Sequence, residues 1–336
     1  MPRILALALL SSSLLACGSD DAPAVDAAPI DAALVDAAPP DVAIDAAPPQ
    51  PGTYITSALK VPRSASEASQ LGLDIDDVAG DANGGIDNQF GTFLASLGSI
   101  APELQIDVGM TAGVDRGDLL LLARYMPSTA PFATMLFILG ADPQPPACAS
   151  ASDAICRRHL DGFGSFRLSN AGGPTMSVTG ELIGTRFVGD GGSFVLPMTF
   201  SVGGAVALVP VTMAAMEVDV GAAGLTSGKL GGAIRQTDVE AIIHPAMHAR
   251  FAAIVARDCP APGTPPSCNC ASGSTGASML GFLDTQTPRD CQISVAEVTS
   301  TFNSLLSDDI DVNGDGQNDA VSLGLGYAAV PASVRP

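Results

Sequence analysis

The chain is poor in positive charge. It carries 15 Lys and Arg against 35 Asp and Glu among 336 residues, a formal net charge of −20 at pH 7. Nucleic acid is held through a basic face that neutralises phosphates, so that class of partner is excluded. The acidic balance suits an exported, soluble surface that binds cations. Tryptophan is absent and aromatics make up 4% of the chain. Small residues such as Ala205, Ala207, Ala214 and Ala215 are left to set the packing, and they favour close sheets over a catalytic cleft. No Gly-x-Ser-x-Gly or His-Glu-x-x-His occurs, so neither a nucleophile elbow nor a zinc-peptidase helix is spelled out. The one apolar run near the start, Ile4–Leu10, is too short to span a bilayer as a lasting helix.

That run follows Arg3 and leads to Leu14-Leu15-Ala16-Cys17, so residues 1–17 read as a secretory signal peptide. The ending resembles a bacterial lipobox. The resemblance implies that Cys17 is lipidated and becomes the first residue after cleavage. Gly18, not Asp, follows it, which by the usual sorting rule of such proteins implies the outer membrane, periplasmic or surface-facing. The membrane is then a partner through the lipid anchor. Residues 18–52 are a low-complexity spacer in which Asp26, Asp31, Asp36 and Asp41 recur among Ala, Pro and Val. Proline and like charge oppose a packed core there. Such a tether reaches about 100 Å at about 3.1 Å per residue. The chain also resembles uncharacterised lipoproteins with Asp/Ala/Pro spacers of myxobacterial type, which implies a location and no activity.

From Leu104 to about Ile234 the apolar period is mostly two, with turn residues between short runs. This predicts a mainly β fold, an antiparallel sandwich or barrel over residues 53–235. Pro197 and Pro210 fall inside runs and mark edges or bulges. Residues 236–336 are expected to be a smaller helical and calcium-loop region packed on the β domain. A helix is expected over Asn88–Leu97. A second runs from the capping box Thr237-Asp238-Val239-Glu240 to about Arg257.

The sharpest chemical signal is Asp311-Val312-Asn313-Gly314-Asp315-Gly316-Gln317-Asn318-Asp319. Calcium takes six to eight oxygens, and ligands at loop positions 1, 3, 5, 7 and 9 wrap it if position 6 turns sharply. Those positions are Asp311, Asn313, Asp315, the carbonyl of Gln317, and Asp319, with Gly316 at the bend. Position 12 is Ser322, where an EF-hand has Glu. The loop and the strand-like Ala320–Tyr327 after it resemble the calcium loops of FG-GAP repeats and, more loosely, dockerins. That resemblance implies a structural calcium ion. A weaker echo lies at Asp74–Asn88, where Asp76, Asp81, Asn83 and Asp87 are ligand candidates. A third stretch, Asp284 to Glu297, resembles a degraded EF-hand between two helices. Asp284, Gln286, Asp290 and Glu297 stand at ligand positions, with two residues inserted and Cys291 where the bend glycine belongs. Those departures are expected to weaken or abolish calcium binding.

Setting Cys17 aside leaves Cys148, Cys156, Cys259, Cys268, Cys270 and Cys291, an even set that an oxidising compartment turns into disulfides. Cys148–Cys156 is the local pair; the pairing of the other four stays open. Glu240, His244 and His248 fall at i, i+4 and i+8, the spacing of a zinc-binding helix face, although Pro245 interrupts it. Three functions stand. The chain is a lipid-anchored, non-enzymatic envelope module braced by calcium, a secreted-type hydrolase, or a small-ligand carrier with the barrel as its container.

Overall fold

The computed structural model describes residues 50, 52–76, 85–100, 102–150, 153–169, 176–260 and 263–336. The signal segment with Cys17, nearly all of the spacer, and the ligand candidates Asp81 and Asn83 lie outside them. Eight strands form a closed antiparallel barrel: β1 Gly52–Lys60, β2 Leu121–Pro127, β3 Phe132–Gln144, β5 Met176–Ile183, β6 Arg186–Met198, β7 Ala207–Gly221, β8 Gly224–Arg235 and β9 Ala320–Val334. Each pairs with its neighbour in that order, and β9 returns to β1 with Ala329 opposite Thr56. Short β4, Ser165–Leu168, pairs with β3 and runs parallel to the end of β9. Closure removes the exposed sheet edges that a sandwich would have.

Pro197 faces Leu208 and Pro210 faces Val195 within the β6–β7 pair, with register shifts nearby at Gly189–Ser193 and Thr212–Ala215. The prolines therefore mark bulged strands, not edges. Aromatic rings fill the interior. Tyr125 on β2 meets Phe187 on β6 at 6.5 Å between centroids, and Phe137 on β3 meets Phe194 on β6 at 5.1 Å. Those strands are not neighbours, so the contacts cross the lumen.

Six helices sit outside this wall. Between β1 and β2 come α1 Ala65–Leu71, α2 Gln89–Ile100 and α3 Ile106–Arg116. The period-two pattern of Leu104, Ile106 and Val108 predicts a strand, yet Ile106 starts α3. The helix buries Ile106, Met110 and Val114 and leaves Val108 exposed, a 3.6-residue stripe under the apparent alternation. After β8, a one-turn helix Gln236–Asp238 and a π-helical turn Val239–Ile243 lead into α4 His244–Asp258. Thr237 is therefore not an N-cap; Arg235 holds that position with no side-chain cap. A capping box does occur on α6 Val295–Leu305, where Ser294 and Glu297 bond reciprocally. Helix α5, Thr275–Leu283, precedes it.

The covered wall explains the sequence of β9. Ala320–Tyr327 is buried at every residue because the barrel lies behind it and α1 and α2 lie in front. Gly324 permits that approach: a Cβ there would stand 2.5 Å from the Leu71 carbonyl oxygen. On the exposed side of the barrel, β5 keeps a partial alternation.

Phe302 on α6 joins the helices. Its ring meets Phe93 of α2 at 4.8 Å, His244 at 5.6 Å and Phe251 of α4 at 5.9 Å, each edge-on. Its burial is nearly complete at 1% exposure. Phe302→Ala should therefore cost about 3–5 kcal/mol, the cost of a large cavity in a packed core. Chemical denaturation should show it as a lower midpoint with an unchanged slope.

Candidate metal centre

Among the described residues three disulfides form. Cys148–Cys156 is the local pair expected, and the open set resolves as Cys259–Cys270 and Cys268–Cys291.

The side chains of the Asp311–Asp319 loop accept hydrogen bonds from the loop's own backbone, and the carboxylates of Asp311, Asp315 and Asp319 do not all gather within 4.8 Å of one another. Asp311 accepts the N–H groups of Gly314 at 2.7 Å and Gly316 at 2.6 Å. Asn313 accepts from Asp315, Asp315 from Gln317, and Asp319 from Val312. Gly314 and Gly316 have φ of 74° and 85°, the left-handed conformation that glycine adopts without strain. The Gly316 N–H, followed by those of the neighbouring loop residues, holds the Asp311 carboxyl below its ordinary range. Ser322 does not take the place of an EF-hand Glu. It is fully buried in β9, donates its hydroxyl to Asp309, and accepts from the Gln89 N–H.

The described ends of the weaker echo, residues 73–76 and 85–88, meet on a similar plan. Its neck is the isolated bridge Leu73–Asp87, as Ile310–Ala320 is the neck of the second loop. The Ile75 N–H donates to Asp87 Oδ2 at 2.9 Å, as the Val312 N–H donates to Asp319 Oδ1 at 2.8 Å. Asp74 therefore stands where Asp311 stands, and Asp76 where Asn313 stands. Carboxylate oxygens of Asp74, Asp76 and Asp87 all lie within 4.8 Å of one another. Among the described residues this is the one such convergence of His, Cys, Asp or Glu. Asp74 was not among the sequence candidates. Its signal was the shared apolar–Asp–apolar triplet, Leu73-Asp74-Ile75 beside Ile310-Asp311-Val312, whose flanking residues point down while the acid points up.

Those flanking residues form one floor. Leu73, Ile75, Ile310 and Ala320 pack with Ala215 of β7 and Ala233 of β8, and Val312 joins them. The two loops are thus neighbours. Asp309 is half-buried, and the loss of solvent pushes its carboxyl above the ordinary value. The charge of Asp76 pushes the same way, while bonds from Ser322 oppose it. Burial raises Asp308 as well, helped by Asp319 and Glu240.

The third stretch has the expected helix–loop–helix shape, α5 to α6, but its four candidates are not gathered around one point. Both carboxylate oxygens of Glu297 are taken, by the N–H groups of Thr285, Gln286 and Ser294 and by the Ser294 hydroxyl. Gln286 and Asp290 are exposed. Asp284 Oδ2 accepts from the Cys291 N–H, and Cys291 takes φ of 63°, the conformation of the bend glycine it replaces.

The zinc face is not assembled. The π-helical turn breaks the i, i+4 spacing. Glu240 bonds Gln236 and Asn303, His244 Nδ1 meets Thr299 Oγ1 at 3.1 Å, and His248 Nε2 meets the Ile293 carbonyl at 2.7 Å. Other features that would suit a hydrolase are engaged elsewhere. Ser57-Ala58-Leu59-Lys60 spells Ser-x-x-Lys. It lies on β1, and Lys60 pairs with Glu67 at 3.0 Å. The adjoining groove, about 420 Å³, holds the pairs Arg63–Asp107 and Arg157–Asp115. His159 is buried against the Val114 carbonyl, and Asp161 caps the Phe163 N–H. The chain matches no known protein family, no curated protein and no solved structure.

Burial lowers the protonation range of both His159 and His244. The unfolded chain, with His near pH 6.5, then binds protons that the folded chain refuses. Stability is fully present above about pH 6.5 and falls as pH drops below it. The melting temperature should fall between pH 7 and pH 5.5, and His244→Gln should flatten that slope relative to the parent.

Proposed function

We propose that the chain is a lipid-anchored, non-enzymatic module of the cell envelope, held at the outer membrane, whose paired Asp-rich loops bind calcium as a structural brace. The observation that carries this reading is the convergence of Asp74, Asp76 and Asp87 beside a second loop of the same plan, Asp311–Asp319. Hard oxygen ligands of this kind suit calcium better than a transition metal. The anchor rests on the lipobox resemblance at Cys17, and the long acidic spacer lets the body stand clear of the lipid. A carrier barrel needs an apolar cavity, whereas rings from opposite strands meet inside this one.

Calcium at 100 times its dissociation constant adds about 2.7 kcal/mol by mass action. At about 2 °C per kcal/mol for a body of this size, the melting temperature should rise about 5 °C in calcium over EDTA. Magnesium, smaller and slower to give up its water, should do less. Asp76→Asn and Asp315→Asn should each reduce the calcium increment and change the EDTA value little. An equal loss in both media would refute a metal role for that residue.

A further inference from the structure

Strand β1 outruns its neighbour. It pairs with β2 over Gly52–Ile55 and with β9 as far as Lys60. The chain entering β2 is held instead at the end of α3. Gly117 takes φ of 84° there, and the N–H groups of Asp118 and Leu119 donate to the Gly113 carbonyl. The backbone groups of Ser57–Lys60 that face away from β9 therefore have no strand opposite them among the described residues. An open edge of this kind is a template for an added strand. The edge is one wall of a groove and α3 is the other. Two cavities of about 420 and 360 Å³ adjoin there, sharing Arg63, Thr111, Asp115 and Arg157. In a chain of net charge −20, four of the 15 Lys and Arg line this groove: Lys60, Arg63, Arg116 and Arg157. Each is paired with an acid, but three of the pairs turn the cation outward. Side-chain exposure is 54% for Arg63 against 5% for Asp107, 61% for Arg157 against 28% for Asp115, and 51% for Lys60 against 29% for Glu67. Arg63 spends Nε and Nη2 on Asp107, and Arg157 spends Nη1 on Asp115, so each guanidinium keeps donors for a further partner. Arg157 is also fixed from behind. It takes φ of 67°, its N–H donates to the Asp115 carbonyl, and the preceding Cys156 is linked to Cys148, whose N–H donates to the Arg116 carbonyl. A left-handed non-glycine residue persists only where its surroundings hold it, and such residues gather at binding sites.

We propose that this groove binds an extended acidic peptide, which adds to the sheet along Ser57–Lys60 and sets its carboxylates on Arg63 and Arg157. The two halves of the groove call for the two halves of that ligand. The open edge matches a polypeptide backbone, and the guanidinium forks match planar carboxylates. A strand rises about 3.3 Å per residue and alternates its side chains, so the overhang pairs with about four residues whose acids stand at every second position. The site is separate from both Asp-rich loops and needs no metal ion.

Fluorescence anisotropy tests this with the full chain and a labelled, end-blocked peptide of alternating aspartate and valine. The proposal expects saturable binding. Replacing the peptide's aspartates by asparagine should weaken it at least about tenfold, the worth of one charge-assisted hydrogen bond. Arg157→Gln should weaken it by a similar factor and leave the melting temperature nearly unchanged, because exposed ion pairs add little stability. Strand addition uses one set of alternate backbone N–H groups. Of two peptides methylated on alternate nitrogens, one should therefore bind and the other fail. Equal binding of the two methylated peptides, equal binding by the Arg157→Gln chain, or anionic vesicles bound while the peptide is not, would each overturn the proposal.

Discussion

The arrangement of the acidic loops hangs on Asn88. This buried side chain spends its whole hydrogen-bonding capacity on three elements. Its Nδ2 donates to the carbonyls of Ala68 and Gly324, and its Oδ1 accepts from the N–H groups of Gly91 and Gly324. It caps α2, closes the exit of α1 and clasps β9 from both sides of one residue. Losing the side chain would strip one partner from each of these backbone groups; the Ala68 carbonyl keeps the Gly72 N–H, and a buried group left with none costs about 1–3 kcal/mol. Asp87, the buried member of the converging acids, is the preceding residue and is positioned by this clasp.

The same clasp brings like charges together. Asp74, Asp76 and Asp87 converge on one side, the half-buried Asp309 lies within reach of the Asp76 charge, and Asp311 to Asp319 follow. Backbone N–H groups and a shared apolar floor offset part of that repulsion, as the many bonds from main chain to Asp show. A divalent cation would offset the rest. The barrel supplies a foundation for both loops through its filled lumen and its doubly covered β9. The disulfides play the matching role around α4 to α6, where Cys291 replaces a bend glycine and a covalent bond constrains the loop.

Much of this was legible in residues. Alternation and turn signals pointed to antiparallel β structure, and the Asp-x-Asn-x-Asp-Gly string located a loop down to its left-handed glycines. Closure is not legible, because the strand-like Ala320–Tyr327 falls outside the expected β domain of residues 53–235 and only pairing shows that β9 returns to β1. Helix α3 was misread because an apolar residue at every second position also fits part of a helical stripe when its ends are undefined. The string Thr237-Asp238-Val239-Glu240 has the pattern of a capping box, but a π-helical turn at Val239–Ile243 shifts the helix entry, and the box forms at Ser294 and Glu297. Loop spacing alone does not reveal Asp74, whose position is set by the apolar residues on either side and the floor they share.

Amide hydrogen exchange on the full chain, in EDTA and in millimolar calcium, tests the central claim most directly. The account predicts that calcium slows exchange in both loops together, at residues 74–76 and 85–87 and at residues 311–319, and leaves the barrel strands unchanged. Exchange in both loops that is the same with and without calcium would contradict it.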